Sequence, residues 1–68
     1  MPFIQITIAE GHDTSMKRNL LAAVSAAAAD ATGTPESAFR VWLVEVPDTE
    51  VMVGGTILHD TRHPREAP

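Results

Sequence analysis

AFRVWLVEV, residues 38–46, is rich in β-branched and aromatic side chains, and Pro47 follows it directly. Such a composition predicts a β-strand. Apolar residues fall on both faces of this strand: Phe39, Val41 and Leu43 on one, and Trp42, Val44 and Val46 beside Arg40 on the other. A strand of this kind belongs in a sheet that is covered on both sides. One helix can cover only one side, so we expect another subunit on the second.

The segments before this strand place it in a β-α-β unit. Residues 2–8, PFIQITI, alternate isoleucine with other residues and predict a first strand. A helix of about 18 residues is then expected from an N-cap at Asp13 or Thr14 to Gly33. Its apolar stripe consists of Met16, Leu20, Val24, Ala27, Ala28 and Ala31. A strand, helix and strand of these lengths predict parallel pairing with a right-handed crossover.

The chain after Pro47 is expected to add little regular structure. Val51, Met52 and Val53 stand before Gly54-Gly55 and predict a short strand or hairpin. The fold class is therefore α/β, a β-α-β unit with two parallel strands, one long helix and a short C-terminal hairpin. Residues 1–58 form this domain, and residues 59–68, which show no periodicity, are expected to be a loosely ordered tail.

Size and composition exclude several classes of protein. The chain has 68 residues, a net charge of −4 and no cysteine, with one Trp, two Phe and no Tyr. A chain this short buries only about 60% of its unfolded surface, so a lone monomer would be marginally stable and oligomerisation is expected. The acidic charge and few aromatics disfavour nucleic-acid binding. No apolar run is long enough for a membrane span or a signal peptide, and the lack of cysteine favours a reducing cytoplasm.

Pro2 is the first candidate for chemistry. A Met-Pro start loses its initiator methionine readily, which would leave a secondary amine at the beginning of a strand. Apolar surroundings or a neighbouring cation lower the pKa of an α-amino group by disfavouring its charged form. The amine could then act as a general base or as a nucleophile toward a carbonyl. The alternative is that Pro2 only makes the strand entry rigid, and if Met1 is retained there is no proline amine.

Arg40 is the second candidate, because it is a charge in the middle of an apolar strand. It either extends its charged end to solvent at the sheet rim or points into a site that binds an anion. A guanidinium suits a substrate carboxylate, since it offers parallel donors in a fixed fork.

His59 and His63 lie four residues apart, with Asp60 between them. This spacing suits a metal ion only on a helix, and Pro64 argues against a helix at this point. We therefore expect solvated histidines in the tail, with no metal and no cofactor.

The order and spacing of these features from Pro2 to about Ile57 resemble the short-chain 4-oxalocrotonate tautomerase group of the tautomerase superfamily. The resemblance rests on the Pro2 start with Glu10-Gly11, the helix with Lys17 and Val24-Ser25, Thr34-Pro35, Arg40-Val41 and Gly54-Gly55. It implies a tautomerase-like β-α-β protomer that forms dimers and then a hexamer, with active sites built from more than one subunit. It also implies that Pro2 is the catalytic acid or base and that Arg40 binds a substrate carboxylate and polarises the neighbouring carbonyl.

Two positions depart from the family pattern. His12 stands where the best-known members have a second carboxylate-binding arginine, and Val51, or Met52 if the turn shifts by one, stands where they have an aromatic residue. An imidazole is largely neutral at pH 7, so a dicarboxylate such as 2-hydroxymuconate would lose one clamp. Without the aromatic cover, the hypothesis of a charged Pro2 that acts as an acid gains support. NMR titration of the Pro2 amine tests this hypothesis, because a pKa well below that of an ordinary α-amine would exclude it.

The predicted substrate-binding residues are thus His12, Arg40, Val51 and Trp42, although a lone strand aromatic such as Trp42 more often packs in a core or interface. The leading prediction is an isomerase that moves a proton between enol and keto forms of a small 2-hydroxy or 2-oxo carboxylic acid. A hydratase, dehalogenase or decarboxylase using the same site is the enzymatic alternative. A non-catalytic subunit of a hetero-oligomer is the alternative from another class.

Overall fold

The computed structural model describes residues 1–64 and contains the expected β-α-β unit. Strand β1 (Phe3–Ala9) and strand β2 (Arg40–Val46) pair in parallel, joined by helix α1 (Thr14–Thr32). The register runs from Phe3 opposite Arg40 to Ala9 opposite Val46. Both strands therefore begin at the same end of the sheet, and the prediction of the fold class is confirmed.

The ends of α1 follow from two residues that the sequence singled out. The Asp13 side chain caps the helix by accepting a hydrogen bond of 2.7 Å from the Met16 amide. At the other end Gly33 takes a φ of +70°, a left-handed conformation that favours glycine, and donates to the Ala29 carbonyl.

The buried stripe of α1 differs in part from the prediction. Ala27 and Ala31 are exposed, whereas Leu21, Ser25 and Ala29 are half-buried with the rest of the stripe. Alanines occupy most of the second half of this helix, so the sequence pattern alone does not define which of them face the sheet.

The C-terminal hairpin is confirmed. Strands β3 (Met52–Val53) and β4 (Thr56–Ile57) pair antiparallel across Gly54-Gly55, whose φ angles of +59° and +85° explain the two glycines. The hairpin is closed by a hydrogen bond of 2.7 Å from the Leu58 amide to the Val51 carbonyl.

The segment after the hairpin corrects the expectation of a loose tail. Residues Leu58–Arg62 form a second helix, α2, and the Arg62 guanidinium donates a hydrogen bond of 2.7 Å to the Glu10 carbonyl. Pro64 does not prevent the helix, because it lies two residues beyond the last helical residue, where no helical N–H is required of it. The predicted tail also includes residues 65–68, which lie outside the described residues.

The isolated chain has almost no core. Among residues 1–64 only Phe39 is buried, while Phe3, Trp42 and Val44 are 66%, 41% and 37% exposed on the face of the sheet that α1 does not cover. The total accessible surface is 4889 Å², against the roughly 4,200 Å² typical of a compact monomer of this mass. No helix of the described part is long and apolar enough to cross a bilayer. The open apolar sheet face supports the expectation that partner subunits complete the fold.

Candidate active site

Pro2 and Arg40 meet where the two parallel strands begin. The Arg40 amide donates a hydrogen bond of 3.0 Å to the carbonyl of Pro2, the residue just before Phe3, which is the strand partner of Arg40. Pro2 is half-buried and Arg40 is exposed. The parallel pairing thus brings together two candidates that are 38 positions apart in the sequence, 40 minus 2.

The Arg40 side chain is held at this end by backbone carbonyls. Its Nη1 donates to the carbonyls of Ser37, at 3.1 Å, and Phe39, at 3.0 Å. These acceptors belong to the short 3-10 turn at Glu36–Ala38 and to the residue that follows it. Both bonds use one nitrogen of the guanidinium, which leaves Nε and Nη2 as donors for an anion. No sequence pattern predicts these carbonyl contacts, since they depend on the shape of the turn.

The chain nitrogen of Pro2 is an amide as long as Met1 precedes it. Removal of Met1, which is 72% exposed, would turn this nitrogen into a secondary amine beside the Arg40 backbone. The amine and the Arg40 guanidinium would then belong to adjacent strand ends.

Trp42 belongs to the same region. Its ring packs edge-to-face on that of Phe3, with the centroids 6.3 Å apart. Arg40, Trp42 and Phe3 all lie on the uncovered face of the sheet, because side chains two apart on a strand point the same way and register partners share a face. An apolar surface therefore adjoins the candidate Pro2–Arg40 site.

His12 and Val51 are not brought to this end within one protomer. His12 lies exposed in the loop after β1, at the opposite end of a seven-residue strand from Pro2, which corresponds to roughly 20 Å. Val51 is half-buried beside the C-terminal hairpin. Either residue could face Pro2 only from another subunit.

Lys17 and Glu45 form an ion pair of 2.8 Å that joins α1 to β2. This contact explains why Lys17 is half-buried although it lies off the predicted apolar stripe. Glu45 is at the far end of β2 from Arg40, so within one protomer it serves the helix rather than the candidate amine.

No enclosed cavity is found among residues 1–64, and the Pro2–Arg40 end is open to water. A chamber that excludes water from this end requires a second chain. The open apolar face beside it offers apolar surface that such a chain would bury.

A cluster that the sequence analysis discounted does form elsewhere. One donor atom each from Asp48, His59 and His63 lies within 4.8 Å of the others. The signal for it was the spacing of the two histidines, which α2 converts into neighbouring side chains, and Asp48 could be added only once the chain fold was known. The cluster follows the end of β2, so it lies about one strand length from Arg40.

Comparison with known proteins gives consistent results. The family model described as tautomerase enzyme matches residues 2–61. A 2-hydroxymuconate tautomerase from Pseudomonas putida is 40% identical over 55 residues, covering 81% of this chain and 87% of that protein.

Solved structures agree with the sequence match. A heterohexamer 4-oxalocrotonate tautomerase from Chloroflexus aurantiacus J-10-fl has a chain 40% identical to this one, with a TM-score of 0.84 over 88% of this chain and 97% of its own. A 4-oxalocrotonate tautomerase homologue in the tomaymycin biosynthetic pathway is 36% identical, with a TM-score of 0.84 over 90% of this chain and 94% of its own.

Proposed function

The chain belongs to the tautomerase enzyme family, and we propose that this isomerase interconverts the enol and keto forms of a small 2-hydroxy or 2-oxo carboxylic acid. The observation that carries the proposal is the meeting of Pro2 and Arg40 at the shared beginning of the two strands, linked by a hydrogen bond of 3.0 Å. In this proposal Pro2, after removal of Met1, moves the proton and Arg40 binds the carboxylate.

The proton leaves one atom of the substrate and returns to another. This direction of transfer uses the neutral form of the Pro2 amine as the base, in place of the charged acid that the missing aromatic favours. The amine accepts the proton of the enol hydroxyl, while the electrons of the O–H bond form the carbonyl and those of the carbon–carbon double bond shift to carbon. The protonated amine then returns its proton to that carbon. Pro2 ends as it began, and substrate and product are isomers.

Arg40 supplies the positive charge that complements the substrate carboxylate. Its Nε and Nη2 donors suit the two oxygens of a carboxylate, and its positive charge stabilises the negative charge that builds up on the neighbouring oxygen during the transfer. The guanidinium is held by the carbonyls of Ser37 and Phe39, so little side-chain entropy would be lost when a substrate binds.

The substrate proposed here carries one carboxylate. The chain has Arg40 for one end of the substrate, but His12 in place of an arginine where a second clamp would be expected. His12, Trp42 and Val51 are proposed as wall residues, with His12 and Val51 coming from other subunits.

We also propose that the active assembly is a homo-oligomer, with a hexamer favoured. The open face with Phe3, Trp42 and Val44 supports this, since it would otherwise expose apolar surface. We propose a cytoplasmic location as well, as predicted from the cysteine-free sequence. Cell fractionation tests this location.

One observation favours a second candidate. The Chloroflexus aurantiacus protein with a 40% identical chain is a heterohexamer. In the second candidate, this chain is a subunit that needs a different partner chain for activity. Purified alone, such a subunit would be inactive and would regain activity only with that partner.

The test is an assay of enol-to-keto conversion, with an arylpyruvate enol and a 2-hydroxy-2,4-dienoate as probes. Intact mass first establishes that Met1 has been removed. We expect Pro2→Ala to lower kcat/KM by about 10² to 10⁴, with the native mass of the assembly unchanged. Equal rates for wild type and Pro2→Ala would remove Pro2 from the mechanism.

A further inference from the structure

The cluster of Asp48, His59 and His63 joins two separate parts of the chain. Asp48 begins the 3-10 turn that follows β2, and the histidines lie in and directly after α2. The His59 Nδ1 is 3.1 Å from Asp48 Oδ1, and the two imidazole rings have centroids 4.3 Å apart with a tilt of 33°. One donor atom from each of the three residues lies within 4.8 Å of the other two.

One of these distances matches the separation of ligand atoms in a formed metal site. Zinc bonds of 2.0–2.1 Å in tetrahedral geometry separate neighbouring ligand atoms by about 3.3 Å. The Asp48–His59 separation is already within that range. Metal binding would require the donor atoms of the cluster, which lie within 4.8 Å of one another, to close to that separation.

The carboxylate is oriented as a metal ligand would be. The Arg62 Nη1 is 3.4 Å from Asp48 Oδ2, which leaves Oδ1 directed toward His59. Arg62 itself is fixed by its hydrogen bond to the Glu10 carbonyl. Hydrogen bonds of this kind, made to a ligand rather than to the metal, raise affinity by holding the ligand in place. The positive charge of Arg62 offsets part of the attraction between Asp48 and a cation, so moderate affinity is expected.

We propose that Asp48, His59 and His63 bind one divalent transition-metal ion per chain, with zinc as the expected ion. Two imidazoles and one carboxylate are donors that zinc accepts readily, whereas Mg²⁺ and Ca²⁺ prefer oxygen ligands throughout. The bound ion would fasten α2 to the turn after β2. This site is separate from the Pro2–Arg40 end, and its existence does not depend on the proposed function.

The experiment is calorimetric titration of Zn²⁺ into the tag-free, full-length assembled protein after removal of metals with a chelator. We expect one zinc ion per chain with micromolar affinity, and an affinity at least about tenfold weaker in His63→Gln and Asp48→Asn. The matched control is His12→Gln, which removes the one histidine outside the cluster and should leave zinc affinity unchanged. Circular dichroism verifies that each variant is folded.

Cobalt and heat denaturation provide a second reading. Co²⁺ bound to the wild type should give ligand-field absorption that His63→Gln lacks, and zinc should raise the Tm of the wild type but not that of His63→Gln. No zinc binding to the folded wild type would overturn the proposal. Equal losses in His63→Gln and His12→Gln would also overturn it. In either case the three residues would be only a hydrogen-bonded contact between α2 and the turn.

Discussion

Replacing Trp42 with alanine should weaken assembly of the subunits far more than it disturbs the fold of one chain. Trp42 is 41% exposed in the isolated protomer and packs on Phe3, on the face of the sheet that no part of the described chain covers. An interface formed by this face would bury that exposed portion. The alanine variant would lose this burial while both strands keep their backbone pairing.

The magnitude follows from the exposed area. A tryptophan contributes up to about 250 Å², and the 41% that is exposed amounts to ~100 Å². At about 25 cal/mol/Å² this area is worth ~2.5 kcal/mol, or roughly a 60-fold change in a dissociation constant, for each copy. A two-fold symmetric interface would contain two copies and lose about 5 kcal/mol.

Sedimentation velocity over a dilution series measures this loss. Interference optics are needed, because Trp42 is the single Trp and the chain has no Tyr. The matched control is Asn19→Ala, a substitution at an exposed position of α1 that should leave assembly unchanged. If Trp42→Ala dissociates at the same concentration as wild type, the uncovered face is not the interface and the reasoning is refuted.

Four further predictions concern single residues. Arg40→Ala should lower kcat/KM for a carboxylate substrate by about ten- to a hundredfold, through loss of a charge-assisted contact, in the enol-to-keto assay; an unchanged value would contradict its role. His12→Arg should shift the kcat/KM ratio of dicarboxylate to monocarboxylate substrates toward the dicarboxylate by about tenfold, and no shift would place His12 away from the site. Asp13→Ala should lower stability by about 1 kcal/mol and the Tm by about 4–8 °C through loss of the α1 cap, as thermal unfolding at fixed protein concentration would show. Glu45→Gln should cost less than about 1 kcal/mol, since its pair with Lys17 is partly solvated, and the difference in Tm should shrink at high salt.

The fold could be predicted largely because its signals are local. The alternating isoleucines of β1, the Asp13 cap, Gly33 and the Gly54-Gly55 turn each determine a nearby conformation. The apolar residues on both faces of β2 similarly indicated a second sheet face that the chain's own helix does not cover.

The short helix α2 was not predicted because its five residues carry no periodicity long enough to recognise. It is defined instead by contacts with distant parts of the chain, such as the hydrogen bond from Arg62 to the Glu10 carbonyl. Propensity and pattern do not register interactions of this type, since they depend on tertiary structure.

The Pro2–Arg40 end was the part of the candidate site that the sequence made visible. Parallel pairing places Pro2 beside Arg40, although in the sequence the two residues were linked only through the family resemblance. The proposed roles of His12 and Val51 would require neighbouring subunits, which a single chain does not contain. The hydrogen bonds from the Arg40 guanidinium to the Ser37 and Phe39 carbonyls depend on the geometry of the turn, which no side-chain pattern encodes.

In the proposed mechanism the free amine of an N-terminal Pro2 performs the proton transfer, which a proline nitrogen in an amide bond cannot do. Insertion of one lysine between Met1 and Pro2 tests the need for this free amine. The bulky second residue prevents removal of the methionine and keeps the proline nitrogen as an amide. The enol-to-keto assay should then show kcat/KM reduced by at least about a hundredfold. The number of subunits in the assembly should stay the same. Full activity in this variant, with the insertion verified by intact mass, would contradict the claim.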